Sequence, residues 1–164
     1  MNIKSLGIGI VIMLAITVVW VGKDLKDAAR APDGFHIDPR DQSRVALGRS
    51  LYVGHCAACH GIKLEGQANW RERRPDGRLP APPHDESGHT WHHPDAVLFD
   101  MTRNGMVPGR TAPEGYESDM PAYAGILSDE EIIAVLAYIK STWGPDILAL
   151  QREVNRNAAR GGAR

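Results

Sequence analysis

Cys56-Ala57-Ala58-Cys59-His60 is the stretch that decides the reading of this chain, and it uses the only two cysteines among 164 residues. Two thiols three positions apart, followed at once by an imidazole, form the CxxCH signature of covalent haem attachment. Each thiol can add to a vinyl group of one porphyrin, and the imidazole is then held beneath the iron as its proximal ligand. The other uses of CxxC fit less well. A zinc site needs further ligands at matched spacing, and no second CxxC exists. A thioredoxin-type pair belongs at a strand-to-helix junction in a βαβ pattern, which this sequence lacks. The motif predicts one covalent haem c on Cys56 and Cys59, with His60 as an iron ligand.

Upstream of the motif, Val45, Leu47, Leu51 and Tyr52 recur near the helical period, and Gly48 offers a place of close approach for another element. A helix there delivers CxxCH at its C-terminal end. Downstream, Gly66, Gly77, Pro80, Pro82, Pro83 and Gly88 break every regular pattern between Gly61 and His93. So long a loop needs something large beneath it, and a haem is such a thing. Pro94 to Asn104 predicts a short helix with Val97, Leu98 and Met101 on one face, ended by Gly105. Ser128 and Glu131 form a capping box, with Asp129 and Glu130 adding negative charge at the same helix start. Ile132, Val135, Leu136, Ile139 and Trp143 make the apolar stripe of this helix, and Gly144-Pro145 closes it.

With 43% hydrophobic residues and net charge −1, the chain is long enough for one domain with appendages. No basic patch with interleaved aromatics points to nucleic acid. Leu6 to Val21 carries no charge and follows Lys4. As a helix from Ile3 to Gly22 it reaches roughly 30 Å, the thickness of a hydrocarbon core. A secretory signal usually has a shorter apolar region, and the small-x-small site Ala29-Arg30-Ala31 is followed by Pro32. The reading is an uncleaved anchor with Trp20 near its outer end, a cleaved signal being the alternative. Lys23, Lys26 and Arg30 after the segment run against the positive-inside bias, so orientation is taken from the haem motif. The expected organisation is an anchor over 1–25, a linker over 26–42, a haem domain over 43–145 and a basic tail over 146–164. Arg152, Arg156, Arg160 and Arg164 recur every four residues along that tail, the spacing of an extra helix with a basic face; the tail reads as solvated or frayed, contact with acidic lipid or a partner being the alternative.

Candidates for a second iron ligand are Met101, Met106, Met120 and the histidines at 84, 89, 92 and 93. Met101 falls on an apolar helix face and reads as core. Met106 lies in a glycine-rich turn, whereas Met120 lies in a proline-stiffened loop before the last core helix, where pre-ordering lowers the entropy cost of coordination. His84, His89, His92 and His93, with Trp91 among them, invite a copper or zinc reading. The favoured reading is a solvated loop whose Trp91 and histidines cover a haem edge and hydrogen-bond propionates.

CAACHG, Met120-Pro121-Ala122-Tyr123 and the LAYIK stretch together resemble the bacterial class I cytochromes c of the monohaem type, over about Val45 to Trp143, here in membrane-anchored form. The resemblance implies a mostly α fold, with the haem wedged among three to five helices and long loops, beside the N-terminal transmembrane helix. It implies that the first and last helices cross at a contact between Gly48 with Tyr52 and Tyr138. It implies that the carbonyl of Pro82 or Pro83 accepts the Nδ1 proton of His60, and that Met120 is the distal ligand. The implied function is single-electron transfer between redox partner proteins through a low-spin haem, by a carrier rather than an enzyme, with no small-molecule substrate. The implied place is the cytoplasmic membrane of a bacterium, spanned once, with the haem domain facing the periplasm, where covalent attachment is completed. Alternatives are a haem subunit of a larger membrane oxidoreductase, a peroxidase or gas-binding protein if Met120 does not ligate, and a copper-handling role for the histidine loop.

Overall fold

Asp41 opens the first helix, α1 (Gln42–His55), its carboxylate accepting the Arg44 backbone N–H at 3.1 Å. That satisfies a donor which the first helical turn leaves unpaired. After a break at Cys56 the chain makes one further turn, α2 (Ala57–His60), and Gly61 ends it at a φ of 81°, a region open to glycine at little cost. The computed structural model describes residues 35–161. The expected anchor over 1–25 and the linker as far as residue 34 lie outside them. A long irregular segment follows α2, interrupted only by a 3-10 turn at Thr90–His92. Three helices complete the described residues: α3 (Asp95–Asn104), α4 (Asp129–Ser141) and α5 (Pro145–Gly161). Among the described residues there is no strand, only two isolated bridges, and no helix is long and apolar enough to cross a membrane.

The core is the crossing of α1 and α4. The capping box forms as expected: Ser128 Oγ accepts the Glu131 N–H at 3.3 Å, and Glu131 Oε2 accepts the Ser128 N–H at 2.8 Å. Ile132, Val135, Leu136, Ile139 and Trp143 are all buried, each contributing about 1.5 to 3 kcal/mol on leaving water. Gly48 lies directly on the Ala134 carbonyl, with Tyr138 Cβ 3.0 Å from where a Gly48 Cβ would stand, so only glycine allows this approach. One turn on, the fully buried Tyr52 meets Tyr138 with ring centroids 5.4 Å apart. The glycine and aromatic crossing implied by the resemblance is therefore present. Leu47 is not part of it, being half exposed.

Two further departures share one cause. The buried face of α3 is Asp95, Leu98, Phe99 and Thr102 rather than Val97, Leu98 and Met101, which rotates the helix by about one position. The tail forms the extra helix, α5, but is docked rather than solvated, its Gln151 being fully buried. The cause is a buried polar centre that apolar periodicity cannot register. Asp95 is 0% exposed, and the ammonium of Lys140 donates to its two oxygens at 2.7 and 2.8 Å. Gln151 Nε2 donates to Oδ1 at 2.8 Å, while Asn155 Nδ2 at 3.1 Å and the Ile37 N–H at 2.9 Å donate to Oδ2. Asn155 Oδ1 also accepts the Asp95 N–H at 2.7 Å. One carboxylate thus joins α3, α4, α5 and the end of the linker, with every lone pair engaged. Burial pulls the Lys140 ammonium below its ordinary value, and the Asp95 charge opposes the shift. The basic stripe keeps its expected place, since Arg152, Arg156 and Arg160 stay on the solvent side of α5.

Candidate haem-binding site

Cys56 and Cys59 are free thiols set one helical turn apart, which brings them to one side of the chain. Burial pushes the Cys56 thiol up to about 11, so it stays a neutral thiol in the free chain. His60 closes the turn and is only 8% exposed. Its Nδ1 lies 2.8 Å from the carbonyl oxygen of Pro82. A carbonyl can only accept, so Nδ1 carries the proton and the lone pair is left on Nε2, the arrangement of an orienting carbonyl behind a metal-ligating histidine. Burial also lowers the His60 pKa, which keeps the ring neutral and able to ligate. Of the two prolines expected here, the acceptor is Pro82. The carbonyl of Pro83 is turned against Gly88 instead.

Local sequence explains why Pro82 arrives there. Gly66 donates its N–H to the His60 carbonyl at 2.8 Å, and its φ of 68° turns the chain back. A Cβ on Gly66 would stand 2.5 Å from the nitrogen of Pro83, too close for any other residue. On either side of this crossing, Gln67 N–H reaches the Ala81 carbonyl at 2.9 Å and His84 N–H reaches Leu64 at 2.8 Å. Tyr52 Oη completes the support by donating toward the carbonyls of His60 and Gly61 at 3.3 and 3.0 Å.

His84 stacks face to face on His60, with centroids 4.0 Å apart and planes 22° from parallel. A ring lying over the face of His60 is not in line with its Nε2 lone pair, which points outward in the ring plane, so His84 would not face a metal held there. His84 is instead a packing partner: its Nδ1 pairs with Thr90 Oγ1 at 2.9 Å, its carbonyl accepts Trp143 Nε1 at 2.8 Å, and burial holds its pKa well below the ordinary value. His89 stacks on Trp70 and His92 on Trp91. Among the described residues no group of three or more His, Cys, Asp or Glu side chains is placed to hold a metal ion.

Met120 is half buried, in a loop tied at Tyr123, whose hydroxyl donates to the His55 carbonyl at 2.6 Å beside Cys56. Met101 and Met106 are also half buried, so Met101 is not the core residue expected. Among the described residues two buried donors have no hydrogen-bond partner: Trp91 Nε1 and Arg78 Nε, the latter with Glu117 Oε2 at 3.5 Å outside bonding geometry. Unpartnered buried donors suit the carboxylates of a haem, and with the two thiols and the free Nε2 the residues present fit that group. A hollow of about 500 Å³ lies elsewhere on the loop, among Gln67, Asn69, Glu72, Arg73 and Arg74, and none of the expected ligands lines it. Sequence reasoning missed the stacking of His84 and the arginines at 74 and 78, because nothing in local spacing marks residues that meet across loops.

Three relatives resemble the chain. A gluconate 2-dehydrogenase cytochrome c subunit from Pantoea cypripedii is 28% identical over 126 residues, 71% of this chain and 26% of that protein, so the chain spans about a quarter of its length. Cytochrome c6 from Diacronema lutheri is 29% identical over 104 residues, 61% of this chain and 98% of the relative. Cytochrome c2 iso-2 from Magnetospirillum fulvum is 27% identical over 97 residues, 54% of this chain and 92% of the relative. No solved structure matches the chain. The family described as Cytochrome c matches residues 45–143, from within α1 to the end of the core. With that match, the CxxCH turn and the α1–α4 crossing in hand, the chain belongs to the cytochrome c family and works in electron transfer through covalently bound haem c.

Proposed function

We propose that the chain is a single-electron carrier with one haem c, held by Cys56 and Cys59, with His60 Nε2 and the Met120 thioether as the two iron ligands. The observation that carries this is the His60 Nδ1–H to Pro82 bond at 2.8 Å, which sets the tautomer and the ring orientation that axial ligation requires. When bound, the haem supplies a one-electron iron couple whose potential follows its axial ligands, burial and hydrogen bonding. The chain's own residues do the rest. Pro82 and His84 fix the proximal imidazole, Tyr52 and Tyr123 hold the ends of the CxxCH segment, and Trp91 and Arg78 offer donors to the carboxylate edge. Two protein ligands leave no position for a substrate, which favours a carrier over an enzyme.

The uncharged run from Leu6 to Val21 supports anchoring in a bacterial cytoplasmic membrane, with the domain on the periplasmic side. A second reading, a haem subunit of a larger oxidoreductase, is supported by the resemblance to the dehydrogenase cytochrome c subunit. Intact mass of the purified protein and a redox titration test the proposal together. The expected result is one haem per chain that survives acid-acetone extraction and titrates as a single one-electron couple. Extractable haem, or a second couple, contradicts it.

A further inference from the structure

Met120 stands between two anchors. On its C-terminal side, besides the Tyr123 hydroxyl, the Tyr123 and Ala124 N–H groups donate to Thr102 and Arg103 of α3 at 3.1 and 2.8 Å. On its N-terminal side Asp119 offers one carboxylate oxygen to each of two guanidiniums, Arg74 Nη1 at 3.0 Å and Arg78 Nη1 at 2.9 Å. Both arginines belong to the loop that ends in Pro82. Arg74 Nη2 reaches Gln67 Oε1 at 3.2 Å, and the same oxygen accepts the Ala81 N–H at 2.9 Å. One continuous chain of hydrogen bonds therefore runs from the residue before Met120 to the residue before Pro82.

We propose that Asp119 is a positioning residue for Met120: its two-arginine clamp fastens the ligand loop to the 67–81 loop and sets how readily Met120 leaves the iron. This rests on Met120 being the second ligand. A thioether is a weak ligand, so its occupancy depends on how little freedom the loop regains when it lets go. A lone exposed ion pair contributes little to a fold. Asp119 differs because both of its oxygens are engaged by separate guanidiniums, and because it adjoins the ligand, so any freedom released by losing the clamp goes to Met120. A competing ligand reads this directly, since its apparent affinity scales with the fraction of molecules in which Met120 is displaced.

The test is titration of imidazole into the oxidised, haem-loaded protein, followed by the Soret band. Asp119→Asn is expected to bind imidazole about three- to tenfold tighter than wild type. Asp119→Glu should stay near wild type, and Met120→Ala should bind tightest of all. Asp38→Asn serves as the control, removing an exposed pair with Arg40 at 3.0 Å that has no part in the clamp; its affinity should match wild type. Asp119→Asn within about twofold of wild type, or no tighter than Asp38→Asn, while Met120→Ala binds strongly, overturns the clamp and leaves the ligand intact. An unchanged affinity in Met120→Ala overturns the ligand assignment and the clamp with it.

Discussion

Lys140→Met tests the buried centre that joins four elements. The substitution keeps the volume of the side chain but removes two charge-assisted hydrogen bonds, at 2.7 and 2.8 Å, from a carboxylate that is 0% exposed. Losing one partner of a buried pair costs about 3 to 5 kcal/mol, because the remaining charge stays out of water. Asp95 retains donors from Ile37, Gln151 and Asn155, and His36 Nδ1 stands 3.2 Å away at the rim, which places the expected loss near the lower figure. For a domain of this size about 3 kcal/mol lowers the thermal midpoint by roughly 10 to 15 °C. Pairing the change with Asp95→Asn removes the stranded charge, so the double variant should be more stable than Lys140→Met alone. The assay is denaturant unfolding of the haem-loaded protein by far-ultraviolet circular dichroism. A loss under about 1 kcal/mol in Lys140→Met, or a double variant less stable than the single, refutes the reasoning.

Gly48→Ala should destabilise by about 1 to 3 kcal/mol or more, because the new methyl overlaps the Ala134 carbonyl; an unchanged denaturation midpoint shows that α1 and α4 do not meet there. In acid, three carboxylates held below their ordinary values should weaken the fold as they protonate: Asp38, held at about 2 by the Arg40 side chain, Asp41 by Ser43 and the Arg44 N–H, and Glu131 by the backbone and hydroxyl of Ser128. Since their folded pKa values lie below the unfolded ones of 3.8 and 4.5, the stabilisation is complete above those values and lost as pH falls toward 2. Glu131→Gln should show a shallower slope across that window, and an identical slope contradicts the assignment. The full chain should remain with the membrane pellet through high-salt and alkaline washes; a mature haem-bearing species beginning near Pro32 shows instead a removed signal.

What could be read from the chain divides by the kind of interaction involved. Ser128 with Glu131, the stripe from Ile132 to Trp143, and the CxxCH turn are local, and they stand as expected because helix caps and apolar periods are written within a few residues. Gly48 and Tyr52 were legible through the family resemblance. The phase of α3 and the docking of α5 were not, because their decisive residues are polar: Asp95, Lys140 and Gln151 are buried only because they satisfy one another across 45 to 56 positions of sequence. Counting apolar residues alone assigns such positions to the surface. The choice of Pro82 over Pro83 depended on the Gly66 turn beneath the loop, and the stacking of His84 on His60 depended on both.

Carbon monoxide uptake by the reduced protein tests the central claim most directly, since the gas binds only where an iron position is open. A carrier ligated by His60 and Met120 is expected to take up little or none, Met120→Ala to bind it strongly, and Met106→Ala to behave as wild type. Ready uptake by the wild-type protein, or strong binding in Met106→Ala with none in Met120→Ala, contradicts the account.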